Sequence, residues 1–262
     1  MIKLPALRTA LPFALSFSIF TAFLAGRGKE APRQIRRKNI GIVVAIEMDA
    51  VKEKYGDPVE VRNVHGYKVF VYKTESYNLF FLNSGAGEIN SAGGAQVLSS
   101  DFKVEMILNF GVVGSLTEDI KTAQLCVVEE VIDIDFGSAG WLDLPAGQHP
   151  EYGSAVMKTD ERLLNLALEV NPGLTRVRCA STNSFRDTES DKLAINQRFG
   201  ADICEMESAG IVYTCARTDV PCLLIKATSD SLTGGGAEFF TELNRVSLIC
   251  FETLDKILKN LG

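Results

Sequence analysis

Cys204-Glu205-Met206-Glu207-Ser208-Ala209 and Cys222-Leu223-Leu224-Ile225-Lys226-Ala227-Thr228-Ser229-Asp230 frame the stretch that decides the fold. The second segment is a continuous apolar run that turns polar at its end. That is the pattern of a strand buried on both faces, as in sheets covered by helices. Residues 209–218 between the segments are small and apolar, as expected of a helix packed on such a sheet. Glu207 and Asp230 are therefore expected to end neighbouring strands and to face one cleft. Acids at the ends of buried strands, rather than on a solvated helix face, usually have a task.

Each acid alone has a plainer reading. A Glu-x-Glu ahead of a helix suits the helix dipole. Ser229-Asp230-Ser231 before Gly234-Gly235-Gly236 suits a turn with Asx hydrogen bonds. Their joint occurrence at strand ends favours function.

Outward from this stretch the chain alternates strands and helices. Residues 39–46 read as a buried strand, 59–64 and 67–72 as a hairpin turning at His65-Gly66, and 77–83 as another strand. Residues 88–100 read as a helix rich in Ala and Gly, fit for close packing. Further strands are expected at 106–110, 125–131 and 176–181, and a short one before Glu205. The closing helix spans 237–261, with Phe240, Leu243, Val246, Ile249 and Leu254 roughly on one face. No repeat or low-complexity linker divides residues 39–262, so one three-layer α/β/α domain is the simplest architecture. Ser84-Gly85-Ala86-Gly87 lacks the third glycine of a dinucleotide fingerprint, Asn90 standing in its place, and reads as a tight turn packing a helix onto a strand.

The net charge of −6 hides an asymmetry. Residues 1–38 hold eight basic residues and one acid, which leaves the remainder at −13. So acidic a domain is a poor nucleic-acid binder, and a small neutral or cationic molecule is the expected partner. The six cysteines form no C-x-x-C pair and read as small buried hydrophobes of a reducing compartment. With only His65 and His149, a zinc site is not expected. Residues 11–26 form an apolar run between basic flanks, short for a membrane span. Residues 1–38 therefore read as a signal, a transit sequence, a membrane anchor or an extension. A cytoplasmic location is expected for the domain itself, and any membrane association only through residues 11–26.

Five ordered segments carry a family resemblance. They are residues 40–49 (Ile40 to Asp49), Asn109-Phe110-Gly111-Val112-Val113-Gly114-Ser115, Ser181-Thr182-Asn183-Ser184-Phe185, the Glu205-Met206-Glu207 cluster, and Ala227-Thr228-Ser229-Asp230. Together they resemble the nucleoside phosphorylase superfamily, in its 5'-methylthioadenosine/S-adenosylhomocysteine nucleosidase branch. The resemblance covers residues 39–262 and implies a mixed, partly barrel-like central sheet, a homodimer, no cofactor, and hydrolysis of the N-glycosidic bond of a purine nucleoside. Phe136 to Tyr152, with Trp141, Leu142, Leu144 and Pro145, is the candidate segment by which a partner closes the 5' end.

The resemblance also assigns roles. Asp230 is the acid to N7 of the base, oriented by Ser229, and Glu207 accepts from the ribose hydroxyls. Met206 packs on the sugar beside the Gly114 loop. Phe185 stacks on the base, whose edge the Arg186 backbone holds. Ser84 borders the attacking water, Ile46 lies at the substrate's edge, and Asp49 falls where the family activates water, with Glu47 as the alternative. Asn109 stands where phosphorylases carry a phosphate-binding Arg, which favours water over phosphate. A phosphate-dependent phosphorylase and a non-catalytic nucleoside-binding module are the competing readings.

Overall fold

A computed structural model describes residues 37–137 and 143–261. The apolar run at 11–26, the basic stretch that follows it as far as residue 36, and Trp141 and Leu142 lie outside the described residues. Ten strands form one sheet. They are β1 (Lys38–Val44), β2 (Glu60–Val64), β3 (Tyr67–Lys73), β4 (Tyr77–Asn83), β5 (Met106–Ser115), β6 (Leu125–Asp133), β7 (Val156–Lys158), β8 (Thr175–Ser181), β9 (Ile203–Glu205) and β10 (Cys222–Asp230). The helices are α1 (Met48–Tyr55), α2 (Glu88–Ser100), α3 (Glu161–Val170), α4 (Glu189–Phe199), α5 (Ser208–Thr218) and α6 (Gly236–Leu258).

The sheet runs β10-β6-β8-β9-β5-β1-β4-β3-β2, and β10 also pairs with β5. Five strands (β5, β10, β6, β8, β9) therefore close on themselves, while β1, β4, β3 and β2 extend from the ring as an open sheet. Parallel pairs (β1–β4, β1–β5, β5–β10, β6–β8, β8–β9) mix with antiparallel ones. The partly barrel-like sheet expected from the resemblance is present.

Helices cover both faces. Met48 and Val51 of α1, Leu163 and Ala167 of α3, and Val246, Phe251 and Leu254 of α6 share one apolar cluster with Ile42, Phe81, Phe110 and Ile225. Ala95 and Leu98 of α2 and Ile211, Val212 and Cys215 of α5 share another with Val43, Ile107 and Leu224. The double cover explains why β5 and β10 are buried at every residue. Glycine lets α2 and α5 meet backbone to backbone: a Cβ on Gly210 would lie 2.3 Å from the Glu88 carbonyl. All six cysteines are buried and unpaired.

Several expectations need correction. The first strand ends at Val44, two residues before the expected 46, and an unexpected helix, α1, follows from Met48. The strand expected at 106–110 runs five residues further, to Ser115. Helices α3 and α4 and strand β7 add to the predicted elements. Phe240, expected on the inner face of the last helix, is 77 % exposed, whereas Val246 and Leu254 are fully buried. Among the described residues no helix is long and apolar enough to cross a membrane.

Candidate active site

Asp230 and Glu207 do not end neighbouring strands, because β5 runs between them. Gly114 of β5 pairs with Asp230 on one side and with Cys204 of β9 on the other. Asp230 thus lies directly beside Gly114, while Glu207 follows two residues after the end of β9 on the other side of β5. A Cβ on Gly114 would lie 2.9 Å from Asp230 Oδ2, and one on Gly111 3.0 Å from Glu47 Oε1. Two glycines in β5 leave room for carboxylates to lie against the strand.

The resulting cleft holds about 140 Å³. It is lined by Ala45, Ile46 and Glu47 from the β1–α1 turn, Ala86, Val112 to Gly114, Phe185, Cys204 to Glu207, Ser229, Asp230, and Phe239 of α6. Phe185 and Phe239 meet edge to face with centroids 5.4 Å apart, making an aromatic wall. A larger hollow of about 580 Å³ lies elsewhere, lined by Tyr55, Tyr72, Tyr77 and Asp255. Its buried acid, Asp255, is already bonded to Tyr55 Oη and Lys259 Nζ, each at 2.7 Å. The smaller cleft is the candidate because reactive groups converge there.

Four buried carboxylates meet in or beside the cleft, and their neighbours separate their behaviour. Glu205 accepts from Lys226 Nζ at 2.9 Å and from the backbone N–H groups of Glu207 (3.1 Å) and Ser208 (3.0 Å), so it also caps α5. Burial opposes its charge, but Lys226 and Ser208 outweigh burial and hold the carboxyl below the usual glutamate range. Burial likewise opposes the Lys226 charge, yet Glu205 and Glu207 raise its pKa above the lysine range.

The Glu207 carboxylate accepts the Gly87 N–H at 3.0 Å, its one hydrogen bond among the described residues. Burial first, then the Glu205 charge, pushes it up to about 8. Glu47 is raised by burial, against the pull of the Ile46 and Val112 N–H groups (3.0 and 3.2 Å) and of Lys226. Asp230 is raised by burial too, with Lys192 opposing. Lys192 Nζ lies 2.5 Å from its Oδ2 and Ser229 Oγ 2.9 Å from its Oδ1. Such pairs of acids with divergent environments are how one site supplies both acid and base. Among the described residues no group of three His, Cys, Asp or Glu side chains is placed to hold a metal ion.

Of the residues named from sequence, Ile46, Gly114, Phe185, Met206, Glu207, Ser229 and Asp230 come together in the cleft. Asp49 does not. Its side chain is 94 % exposed, 3.5 Å from Lys52 on the outer face of α1. Glu47, just ahead of the helix, turns inward instead, since each further helical residue rotates by about 100°. Ser84 is buried but outside the lining, its hydroxyl donating to the Gly85 carbonyl at 2.8 Å. Arg186 is also outside the lining, its guanidinium donating to Thr182 Oγ1 at 2.9 Å. Sequence reasoning missed Lys192 and Phe239. Lys192 sits on a polar helix where only it and Ile195 are buried, so nothing in the local pattern marks it.

Comparison with known proteins agrees with this geometry. The family model described as "Phosphorylase superfamily" matches residues 39–259. An aminodeoxyfutalosine nucleosidase of Campylobacter jejuni is 30 % identical over 201 residues, 74 % of this chain and 84 % of the relative. A 5'-methylthioadenosine/S-adenosylhomocysteine nucleosidase of Oceanobacillus iheyensis is 30 % identical over 198 residues, 73 % of this chain and 85 % of the relative. The structure of a futalosine hydrolase mutant from Helicobacter pylori superposes with a TM-score of 0.82 at 25 % identity, covering 86 % of this chain and 100 % of that one. A ring of strands closing at Gly114, the cleft above it and these matches lead to one conclusion: the chain belongs to the phosphorylase superfamily.

Proposed function

We propose that residues 39–262 form a catalytic domain that hydrolyses the N-glycosidic bond of a purine nucleoside, with 5'-methylthioadenosine and S-adenosylhomocysteine as the first substrates to test. The named relatives, nucleosidases and futalosine-type hydrolases, support N-glycosidic cleavage. Cleavage needs the leaving purine relieved of negative charge and the sugar stabilised as it becomes cationic. Asp230, with its pKa raised by burial, is the acid to N7. Glu207 binds the ribose hydroxyls, which donate to it and favour its ionised form, and that charge then faces the developing cation. Glu47, rather than Asp49, is the base for water, because it is the carboxylate of the β1–α1 turn that lines the cleft. Phe185 and Phe239 hold the base. No cofactor enters this chemistry.

The observation that carries the hydrolytic reading is the charge of the lining. Glu47, Glu205, Glu207 and Asp230 contribute to it, and no described lining residue is cationic. A phosphate dianion there would meet carboxylates without a guanidinium to offset them. The test is adenine release from methylthioadenosine by the full chain, with and without phosphate, beside Asp230→Asn. Phosphate-independent release, lost in the variant, is expected. Release only with phosphate would make the protein a phosphorylase, and saturable binding without turnover would make it a nucleoside-binding module. The homodimer belongs to the same proposal; sedimentation velocity at micromolar concentration should give twice the chain mass of 28.6 kDa.

A further inference from the structure

Lys192 is fully buried, and its ammonium is the one cation among the described residues in direct contact with Asp230. An ammonium has three N–H donors. Here they go to Asp230 Oδ2 (2.5 Å), the Ser231 carbonyl (2.7 Å) and the Gly234 carbonyl (2.7 Å). Burying a lysine is costly unless it is paired and bonded, so a saturated tripod at this point is a specific arrangement. Two of the three acceptors are carbonyls and do not titrate. The ammonium therefore stays in place whether Asp230 is charged or protonated. The same carbonyls belong to the loop between β10 and α6, which Glu238 of α6 holds from the other side through Ser231 N and Oγ at 2.9 and 2.8 Å.

The other groups around Asp230 do not balance its charge in this way. Glu238 of α6 and the Cys204 thiol of β9 face it, and Glu238 disfavours the carboxylate. Glu47 and Glu207 share the cleft, the Lys226 ammonium is bound to Glu205, and Arg186 is turned to Thr182. We propose that Lys192 is the positioning residue of Asp230, fixing its carboxyl and the following loop in one orientation and setting the upper pH at which it still holds a proton for the leaving purine. This inference rests on the hydrolytic reading above. An opposite charge within about 4–6 Å favours the ionised form of a carboxyl, typically by one to three pH units. Burial alone would make Asp230 hold its proton too tightly, and an acid works best when its pKa lies near the working pH. Lys192 offsets burial and lowers the pH at which the acid is lost.

The experiment compares wild type, Lys192→Met and Lys192→Arg as full chains. Each is assayed for adenine release across pH and for hydrolysis of a 4-nitrophenyl riboside, whose leaving group needs no proton at N7. For Lys192→Met a kcat loss of about 100-fold on the adenine nucleoside is expected, as for a displaced catalytic group. Its alkaline limb should move up by about one to three pH units, and the loss on the nitrophenyl substrate should be far smaller. Lys192→Arg keeps the charge and should keep the limb in place while lowering kcat. A folded Lys192→Met whose limb does not move, or which loses both substrates equally, overturns the inference while leaving the hydrolase intact. If the methionine variant does not fold, a shifted limb in Lys192→Arg overturns it instead. A wild type that releases no purine would refute the hydrolytic reading, and the inference with it.

Discussion

Replacing Lys226 by methionine should destabilise the protein by about 3–5 kcal/mol, the cost of breaking a buried ion pair by removing one partner. Lys226 and Glu205 have side chains only 1 % and 3 % exposed and lie 2.9 Å apart, so solvent screens them little. Without the ammonium, Glu205 retains hydrogen bonds from the Glu207 and Ser208 N–H groups but no longer has that cation to offset its buried charge. The loss should depend on pH, with a defined sign. In the wild type Glu205 sits below its unfolded value of 4.5, so its stabilising contribution is complete above that pH and disappears in acid. In the variant its folded-state pKa lies above the unfolded value. The folded state then binds the extra proton, and stability falls as pH rises from about 5 to 8. Urea unfolding of both proteins at pH 5 and pH 8 measures this, and the gap between them should widen with pH. The double variant Glu205→Gln/Lys226→Met should recover much of the loss, since no charge is left unpaired. A single variant within about 1 kcal/mol of wild type at pH 8, or a gap independent of pH, would refute the reasoning.

Glu47→Gln should lower kcat by about 10²–10⁴-fold, the range for a general base, whereas Asp49→Asn should stay within about twofold, its side chain being solvated on α1; steady-state kinetics on methylthioadenosine compares them. Glu207, raised to about 8 against 4.5 unfolded, makes the folded state bind a proton that the unfolded state has released, so stability falls from pH 5 to 8. Glu207→Gln should remove that slope in thermal melts across pH, and equal slopes would contradict the assignment. Gly210→Ala should cost about 1–3 kcal/mol by forcing α2 and α5 apart, measurable as a lowered urea midpoint.

The sequence revealed the elements whose patterns are one-sided. Continuous apolar runs such as Leu223 to Ile225 announce strands covered on both faces, and the small residues of α2 and α5 announce close packing. The closure of the ring was less legible, because it depends on β5 carrying partners on both sides as far as Gly114, and no local pattern encodes a second partner. For the same reason Glu207 and Asp230 were rightly placed in one cleft but on the wrong strand spacing. The turn between Glu47 and Asp49 shows a different limit. Two acids two residues apart are equivalent in composition, and only the start of α1 decides which faces inward. Lys192 had no signal at all, since a buried cation on a polar helix is visible only once its acceptors are assembled from β10 and the loop after it.

The central claim is that water, not phosphate, attacks the sugar in a cleft of carboxylates. Its most direct test is to incubate the full chain with methylthioadenosine in ¹⁸O-labelled water containing excess phosphate and to weigh the sugar product by mass spectrometry. The account predicts free methylthioribose carrying ¹⁸O at the anomeric carbon, together with adenine. A sugar 1-phosphate, or intact nucleoside, would contradict it.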